Sequence, residues 1–274
     1  MARTLLMTQG ELDHSVSPSL INKRLNDICR NLQPGRQEDA HEFLRHLIDV
    51  MNENFLQRHI ENLSLDDISK STTPINQIFG GFLRSIITCT VCHHKSESFE
   101  QFMELSLDIR NVFSLKDAIG SFFSREYLDN MSYDCIRCNK KVTAQKQFHL
   151  ETSPVVLCIQ IKRFNVDGEK ICKKIQVELH LDVSRYFSQS TNNNQRSYYK
   201  LVSMVCHNGN STASGHYFTV GLAPNGLYYS FDDSVVKQEK IYDSIRKSNA
   251  YFLFYEVHDL DMSRAGAVDS MQKR

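Results

Sequence analysis

Two Cys-x-x-Cys pairs, Cys89-Thr-Val-Cys92 and Cys135-Ile-Arg-Cys138, constrain this chain more than any other feature. Each ends a stretch expected to be a strand and is followed by a polar turn. Two such knuckles facing each other supply four thiolates, the donor set of a closed tetrahedral zinc (Zn2+) site. A site with four cysteines leaves no position for water, so its role is structural: it ties together the tips of two long hairpins that have little core of their own. The gap between the pairs exceeds that of a simple zinc ribbon, so a helix is expected inside it. The plain alternative is four unrelated free cysteines. His93 or His94 can replace a ligand, but the set is complete without them.

The rest of the chain reads as helices followed by strands. Residues 17–33 carry Leu20, Ile21, Leu25, Ile28 and Leu32 at helical spacing behind a Ser-Pro start. After the break at Pro34-Gly35, a second helix is expected from Gln37 to Phe55. Ala40, Phe43, Leu44, Leu47, Ile48 and Met51 form its apolar stripe; Asp39, Glu42 and His46 form its polar flank. Residues 61–74 are polar and read as a loop. From Phe79 onward, β-branched and aromatic runs predict strands at 82–88, 143–150, 155–161, 200–206, 217–222 and 251–257, with one helix near Ser114 to Ser124. Residues 189–197 are expected to be a flexible loop and the tail after His258 disordered. The order implies an α+β fold with a largely antiparallel sheet.

Lys plus Arg equals Asp plus Glu, 32 each, which argues against a non-specific nucleic-acid binder or a zinc-ribbon reader of nucleic acid. No apolar run is long enough to span a bilayer, and the first residues do not have the form of a signal peptide. Eight cysteines in a chain of this kind point to metal or chemistry rather than disulfides.

The segment from Val205 to Tyr217 is a Gly- and Ser-rich loop running into a strand, with His216 at the strand's mouth. A histidine exposed on one side and held on the other suits a general base. Asp232-Asp233 follows at a second strand end, where a carboxylate can fix the imidazole tautomer. On these features alone, a satisfied loop histidine and a solvated Asp-Asp turn remain open.

Several motifs in order carry a resemblance. They are Gly35-Arg-Gln-Glu-Asp-Ala-His-Glu-Phe-Leu44, Ile161-Lys-Arg-Phe164, and His207, Gly209, Ser211, Gly215, His216 and Tyr217. Phe231-Asp-Asp-Ser234 with Val236 and Ala250-Tyr-Phe-Leu-Phe-Tyr255 complete the set. From about Ser17 to Val257 the chain resembles the ubiquitin-specific protease family of cysteine-type deubiquitinases. Gln77 to Ser85 is most similar to the subgroup of ubiquitin carboxyl-terminal hydrolase 36. The resemblance implies a papain-like cysteine-protease hand, with palm, zinc fingers and a truncated helical thumb. It implies a protease domain over 1–258, with thumb helices at 17–57, fingers and palm at 75–258, and a tail at 259–274. It further implies ubiquitin and ubiquitinated proteins as partners, no membrane or nucleic acid, and an intracellular place in nucleus or cytoplasm. His216 becomes the general base, Asp232 its orienting partner and Asp233 an assisting group, while Asp39 and Glu42 hold the arginines of ubiquitin's C-terminal tail. Acids in a first helical turn also favour the helix dipole unaided.

The sequence departs from the family in two respects. The family's nucleophile lies in a Gly-Asn-Thr-Cys motif ahead of the Gln37-to-Phe43 region, and no such motif occurs here. The expectation is a truncated form, inactive as written, or a non-catalytic ubiquitin-binding module. Of the other cysteines, Cys29 lies near a helical stripe, Cys158 in a buried strand, Cys172 in a charged hairpin and Cys206 in a strand leading to His216. Burial makes such thiols inert; Cys206 stands nearest the chemistry. A second, milder departure is Tyr228, where the family often has Trp.

Overall fold

The computed structural model describes residues 18–30, 32, 35, 38–59, 73–164, 170–188, 196–211, 214–247 and 249–258. Residues 61–72 of the expected loop at 61–74, most of the expected loop at 189–197, Gln37 and the tail after His258 fall outside them, while Pro74 of the first loop opens a helix.

Helices come first. The expected helix at 17–33 is instead two short turns, α1 (Ser19–Asn22) and α2 (Leu25–Ile28), separated at Lys23 and Arg24. The physical reason is scant packing. Neither turn has a side-chain cap, and among the described residues of this stretch Cys29 and Leu32 are the ones that join the core. A short, uncapped turn whose described apolar residues are only half-buried does not propagate into a longer helix. Helix α3 (Ala40–His59) begins later than Gln37 and runs past Phe55. Asp39 sets its start, because the Asp39 carboxylate accepts the His41 amide at 2.7 Å, as an N-cap does. Ala40 and Leu44 pack on Cys158, Tyr251 and Phe252. Ile48 is buried, and Phe43, Leu47 and Met51 stay half-buried. A short helix the sequence did not show, α4 (Pro74–Phe79), is capped by Thr73, whose hydroxyl oxygen accepts the Asn76 amide at 3.1 Å.

Two sheets follow. The first is antiparallel, in the order β2-β1-β5-β4, from β1 (Gly81–Cys89), β2 (Lys95–Phe102), β4 (Glu126–Cys135) and β5 (Lys140–Thr152). The second holds eight strands. They are β3 (Leu105–Asp108), β6 (Val156–Lys162), β7 (His180–Asp182), β8 (Tyr198–Ser211), β9 (Ser214–Leu222), β10 (Tyr228–Asp232), β11 (Val235–Glu239) and β12 (Ala250–Val257). Its order is β11-β10-β9-β8-β12-β6-β3, with β7 beside β8. Only β3 and β6 run parallel among the described pairs. All six expected strands are present. Helix α5 (Leu115–Phe122) lies between the two Cys pairs, as expected, capped by Ser114. Helix α6 (Ile241–Lys247) precedes β12.

Alternation along the strands gives the large sheet two faces. Leu157, Ile159 and Ile161 of β6 join the main core with Leu115 and Ile119 of α5 and Ile241 and Ile245 of α6. Cys158, between them in sequence, faces the other way, toward α3. A bridge between Leu150 and Phe187 links the small sheet to the segment packed on the large one. This is the palm-and-fingers arrangement of a papain-like hand, with α3 lying across the palm.

Candidate functional site

Strand register brings His216 and Asp232 together. Phe231 pairs with Thr219 across β10 and β9, so Asp232, one residue on, reaches diagonally to His216 near the mouth of β9. The imidazole Nε2 lies 2.5 Å from the Asp232 Oδ1. Asp233 follows in a left-handed conformation, φ 51°, which turns the chain from β10 into β11 and leaves its carboxylate beside the pair. The bond to Asp232 holds the His216 imidazole above its ordinary pKa; slight burial opposes this, and the charges of Asp232 and Asp233 add to it. Both side chains are about half exposed, 46% and 51%, so a reactant has access. With Nε2–H donated to Asp232, Nδ1 keeps its lone pair and can accept a proton.

A second carboxylate joins α3 to the palm. The Tyr251 hydroxyl donates to Asp39 and lies 2.9 Å from each of its oxygens. Burial, with Asp39 beside it, pushes the Tyr251 phenol far up. Tyr217, next to His216, also faces Asp39, and its phenol is pushed up to about 12 by burial and by that charge. Glu42 stands one turn further on with His46 Nε2 at 3.8 Å, both about half exposed. The structure therefore places Asp39 at the seam and Glu42 on the open flank of α3.

His41, not singled out from the sequence, anchors the same helix. Its Nε2 lies 2.5 Å from Glu104 and its Nδ1 2.8 Å from the Gln160 amide. The Ser106 hydroxyl donates to Gln160 at 2.6 Å. Its signal was its place between Asp39 and Glu42 on an otherwise apolar approach to the sheet.

The remaining cysteines lie outside the group at His216, although Cys29 sits with Glu42 and His46, their ligand atoms within 4.8 Å of one another. Cys206 is fully buried and packs into the main core. Its neighbour His207 points to the opposite face, against Tyr217 and Phe164. Cys158 is buried, and desolvation drives its thiol far up; Cys29 is buried and Cys172 exposed. Among the described residues, the group at His216 consists of Asp232 and Asp233 and holds no thiol.

At the far end of the small sheet, Cys89, Cys92, Cys135 and Cys138 converge at the turns of the β1–β2 and β4–β5 hairpins. Their sulfurs lie 3.8 Å (Cys89–Cys138) and 3.6 Å (Cys92–Cys135) apart. A tetrahedron of sulfurs about 2.3 Å from a central ion has edges of about 3.8 Å, so the thiols can hold a metal ion as they stand. The two knuckles match. The Cys92 amide points at the Cys89 sulfur (3.5 Å) and the Cys138 amide at the Cys135 sulfur (3.4 Å), and the residues that follow, His93 and Asn139, are both left-handed. Amide donation, from Cys92 first, lowers the Cys89 thiol to about 6. Sharing with Cys92 raises Cys138 to about 12. A cation at the centre removes that competition for protons. His93 and His94 are not part of the group.

Fold and site together define the papain-like cysteine-protease class. Residues 1–255 match the family described as ubiquitin carboxyl-terminal hydrolase, and the chain belongs to it. It is 46% identical over 268 residues to ubiquitin carboxyl-terminal hydrolase 36 of Drosophila melanogaster, covering 97% of this chain and 25% of that protein. To the Drosophila grimshawi protein of the same name it is 47% identical over 269 residues, covering 98% of this chain and 21% of the relative. The chain thus spans about a fifth to a quarter of these relatives. Among solved structures it is similar to the SAGA Ubp8/Sgf11/Sus1/Sgf73 DUB module bound to ubiquitin aldehyde, with TM-score 0.74, 28% identity, and 88% of this chain and 54% of that one covered. The same module bound to monoubiquitin gives TM-score 0.74 at 29% identity, covering 88% and 53%. No helix among the described residues is long and apolar enough to cross a membrane.

Proposed function

We propose that this chain is the ubiquitin-engaging palm and fingers of a thiol-dependent deubiquitinase, acting on the isopeptide bond at ubiquitin's C-terminus. The observation that carries this is the 2.5 Å contact between His216 Nε2 and Asp232 Oδ1, at an accessible strand mouth in a chain of this family. His216 is the general base, accepting a proton at Nδ1 from the attacking thiol and returning it to the leaving amine. Asp232 fixes the tautomer and steadies the imidazolium, and Asp233 adds negative charge. Asp39 and Glu42 receive the arginines of the ubiquitin tail. Asp39 keeps acceptor capacity beyond the Tyr251 hydroxyl and the His41 amide, because a carboxylate has about four lone-pair sites. The four cysteines hold zinc, which fixes the finger tips and takes no part in the chemistry. We assign 1–258 to the protease domain, with thumb helices at 17–57 and fingers and palm at 75–258. Ubiquitinated proteins in the nucleus or cytoplasm are the expected substrates.

The absence of a thiol from the group at His216, among the described residues, favours a second reading for these 274 residues on their own: a ubiquitin-binding module without cleavage. One experiment serves both. The zinc-loaded chain is mixed with ubiquitin bearing a thiol-reactive C-terminal group, and binding and intact mass are measured. Binding that weakens in Glu42→Lys, with no adduct, supports the ubiquitin-binding reading. A covalent adduct shows that one of these cysteines is the nucleophile and overturns the non-catalytic one. A folded chain that binds no ubiquitin overturns both.

A further inference from the structure

One ammonium holds the end of β8 that lies beside His216. Lys170 Nζ donates to the carbonyl oxygens of His207 at 2.7 Å and Gly209 at 2.8 Å, and lies 3.0 Å from His207 Nδ1. An ammonium has three donors and no acceptor, so all three are spent here, and His207 Nδ1 must be the acceptor. The ring is therefore the neutral tautomer with its hydrogen on Nε2. It is buried, 1% exposed, with its centroid 4.5 Å from that of Tyr217. Its Nε2 edge abuts Gly215, where a Cβ would fall 2.0 Å from that nitrogen. Contacts thus run from Lys170 through His207 to Gly215, the residue bonded to His216.

The other end of this tie is rigid. Lys170 bridges Phe164, and the Ile171 amide donates to the Arg163 carbonyl at 2.6 Å. The buried Arg163 guanidinium donates to Ala250 O at 2.6 Å, Ile171 O at 3.1 Å and Lys173 O at 2.9 Å. Lys170 is thereby suspended from the palm sheet and reaches across to the end of β8.

We propose that Lys170 is a positioning residue, whose ammonium clamps the His207–Gly209 end of β8 and so holds His216, paired there with Asn208, in bonding register with Asp232 at the edge of the channel for ubiquitin's C-terminal tail. The tail channel rests on the function proposed above; the clamp does not. Its charged and titratable neighbours pull in both directions. Burial and then Arg163 lower the Lys170 ammonium, with Cys172 opposing. Burial and then Lys170 lower His207, with Asp39 opposing. His216, facing Asp232 and Asp233, moves the other way. The clamp histidine therefore stays neutral where His216 takes up its proton.

The test is an NMR titration of the zinc-loaded chain as wild type, Lys170→Met and Lys170→Arg, with ubiquitin affinity measured with and without its C-terminal tail. In Lys170→Met the His216 midpoint should fall toward the ordinary imidazole value, and the tail's contribution to affinity should drop on the order of tenfold, the scale of losing outer-shell support. Lys170→Arg should recover most of both. A Lys170→Met protein that melts earlier yet keeps the His216 midpoint overturns the proposal, since that is the behaviour of a merely structural lysine. Should Lys170→Met not fold, the wild-type Lys170 ammonium decides: protons protected from exchange support the clamp, and freely exchanging protons overturn it. A wild-type chain that binds no ubiquitin while Lys170→Met still shifts His216 refutes the ubiquitin reading and supports the clamp.

Discussion

Stripping the metal from the finger tips should open them while leaving the palm intact. The tip's own buried set is small: Cys89, Cys135 and Val142, with Cys92, Tyr133 and Cys138 partly buried around them. Burying the Val142 side chain contributes about 1.5–3 kcal/mol. A structural zinc in a four-thiolate site is worth about 10–16 kcal/mol, and sulfur spacings of 3.6–3.8 Å mean that little is spent on rearrangement. Loss of the ion therefore removes several times what the tip core supplies. The palm core, centred on Leu107, Ile159, Ile161, Leu201 and Leu253, is a separate cluster. The assay is hydrogen exchange after chelation under reducing conditions, with metal content measured in parallel. The amides of His93 and Asn139, which donate to Cys89 O at 3.1 Å and Cys135 O at 2.8 Å, should lose their protection, while those of Leu157 to Ile161 keep theirs. Unchanged tip protection in metal-free protein would refute the reasoning, as would simultaneous collapse of both regions.

Two further outcomes are expected. In the folded, zinc-loaded protein, Cys172 should alkylate readily while Cys158 and Cys206 react only on unfolding, because the first is exposed and the others are buried; early labelling of Cys206, followed by mass mapping, would contradict its placement. His207 and His149 should each contribute less stability as pH drops below the ordinary imidazole value of 6.5, because burial and Lys170 lower His207 and burial and Arg84 lower His149 in the folded state, while His216 and Glu178, both raised, work the other way. At those two histidines the unfolded chain binds more protons, so their share of the free energy of unfolding rises with pH through that window; denaturant titrations between pH 5 and 7 in wild type and His207→Gln isolate the His207 share, and a difference between the two that does not grow with pH counts against it.

Much of this architecture was legible in the residues. The six expected strands all carry β-branched or aromatic residues with a buried face, which is the property that leaves a period in sequence. Strand β2 left none, because among its eight residues Phe102 alone is buried, and the four strand residues Tyr228 to Phe231 were seen only as the approach to Asp232. The two short helices at 19–28 were over-read as one, since spacing records an apolar stripe but not whether anything lies against it. The Cys pairs, His216 and Asp232 were visible as motifs, and register explains their convergence. The Tyr251–Asp39 bond and the Lys170 tie join residues far apart in the chain, so no local pattern could announce them. His41 was passed over for His46 because both sit on one helix, and only the position of Glu104 and Gln160 tells which one is anchored.

Strand β8 sets Cys206 and His207 side by side in sequence and on opposite faces in space. A side-chain period of two means that a slip of one residue would exchange them, turning an imidazole into the oily interior and a thiol toward Tyr217 and Phe164. The pairings that forbid this slip, Cys206 with Ala250 and Phe218, and His207 with Tyr217, therefore guard chemical identity as well as shape. Single-residue insertions or deletions in this strand should be far more damaging than most substitutions within it.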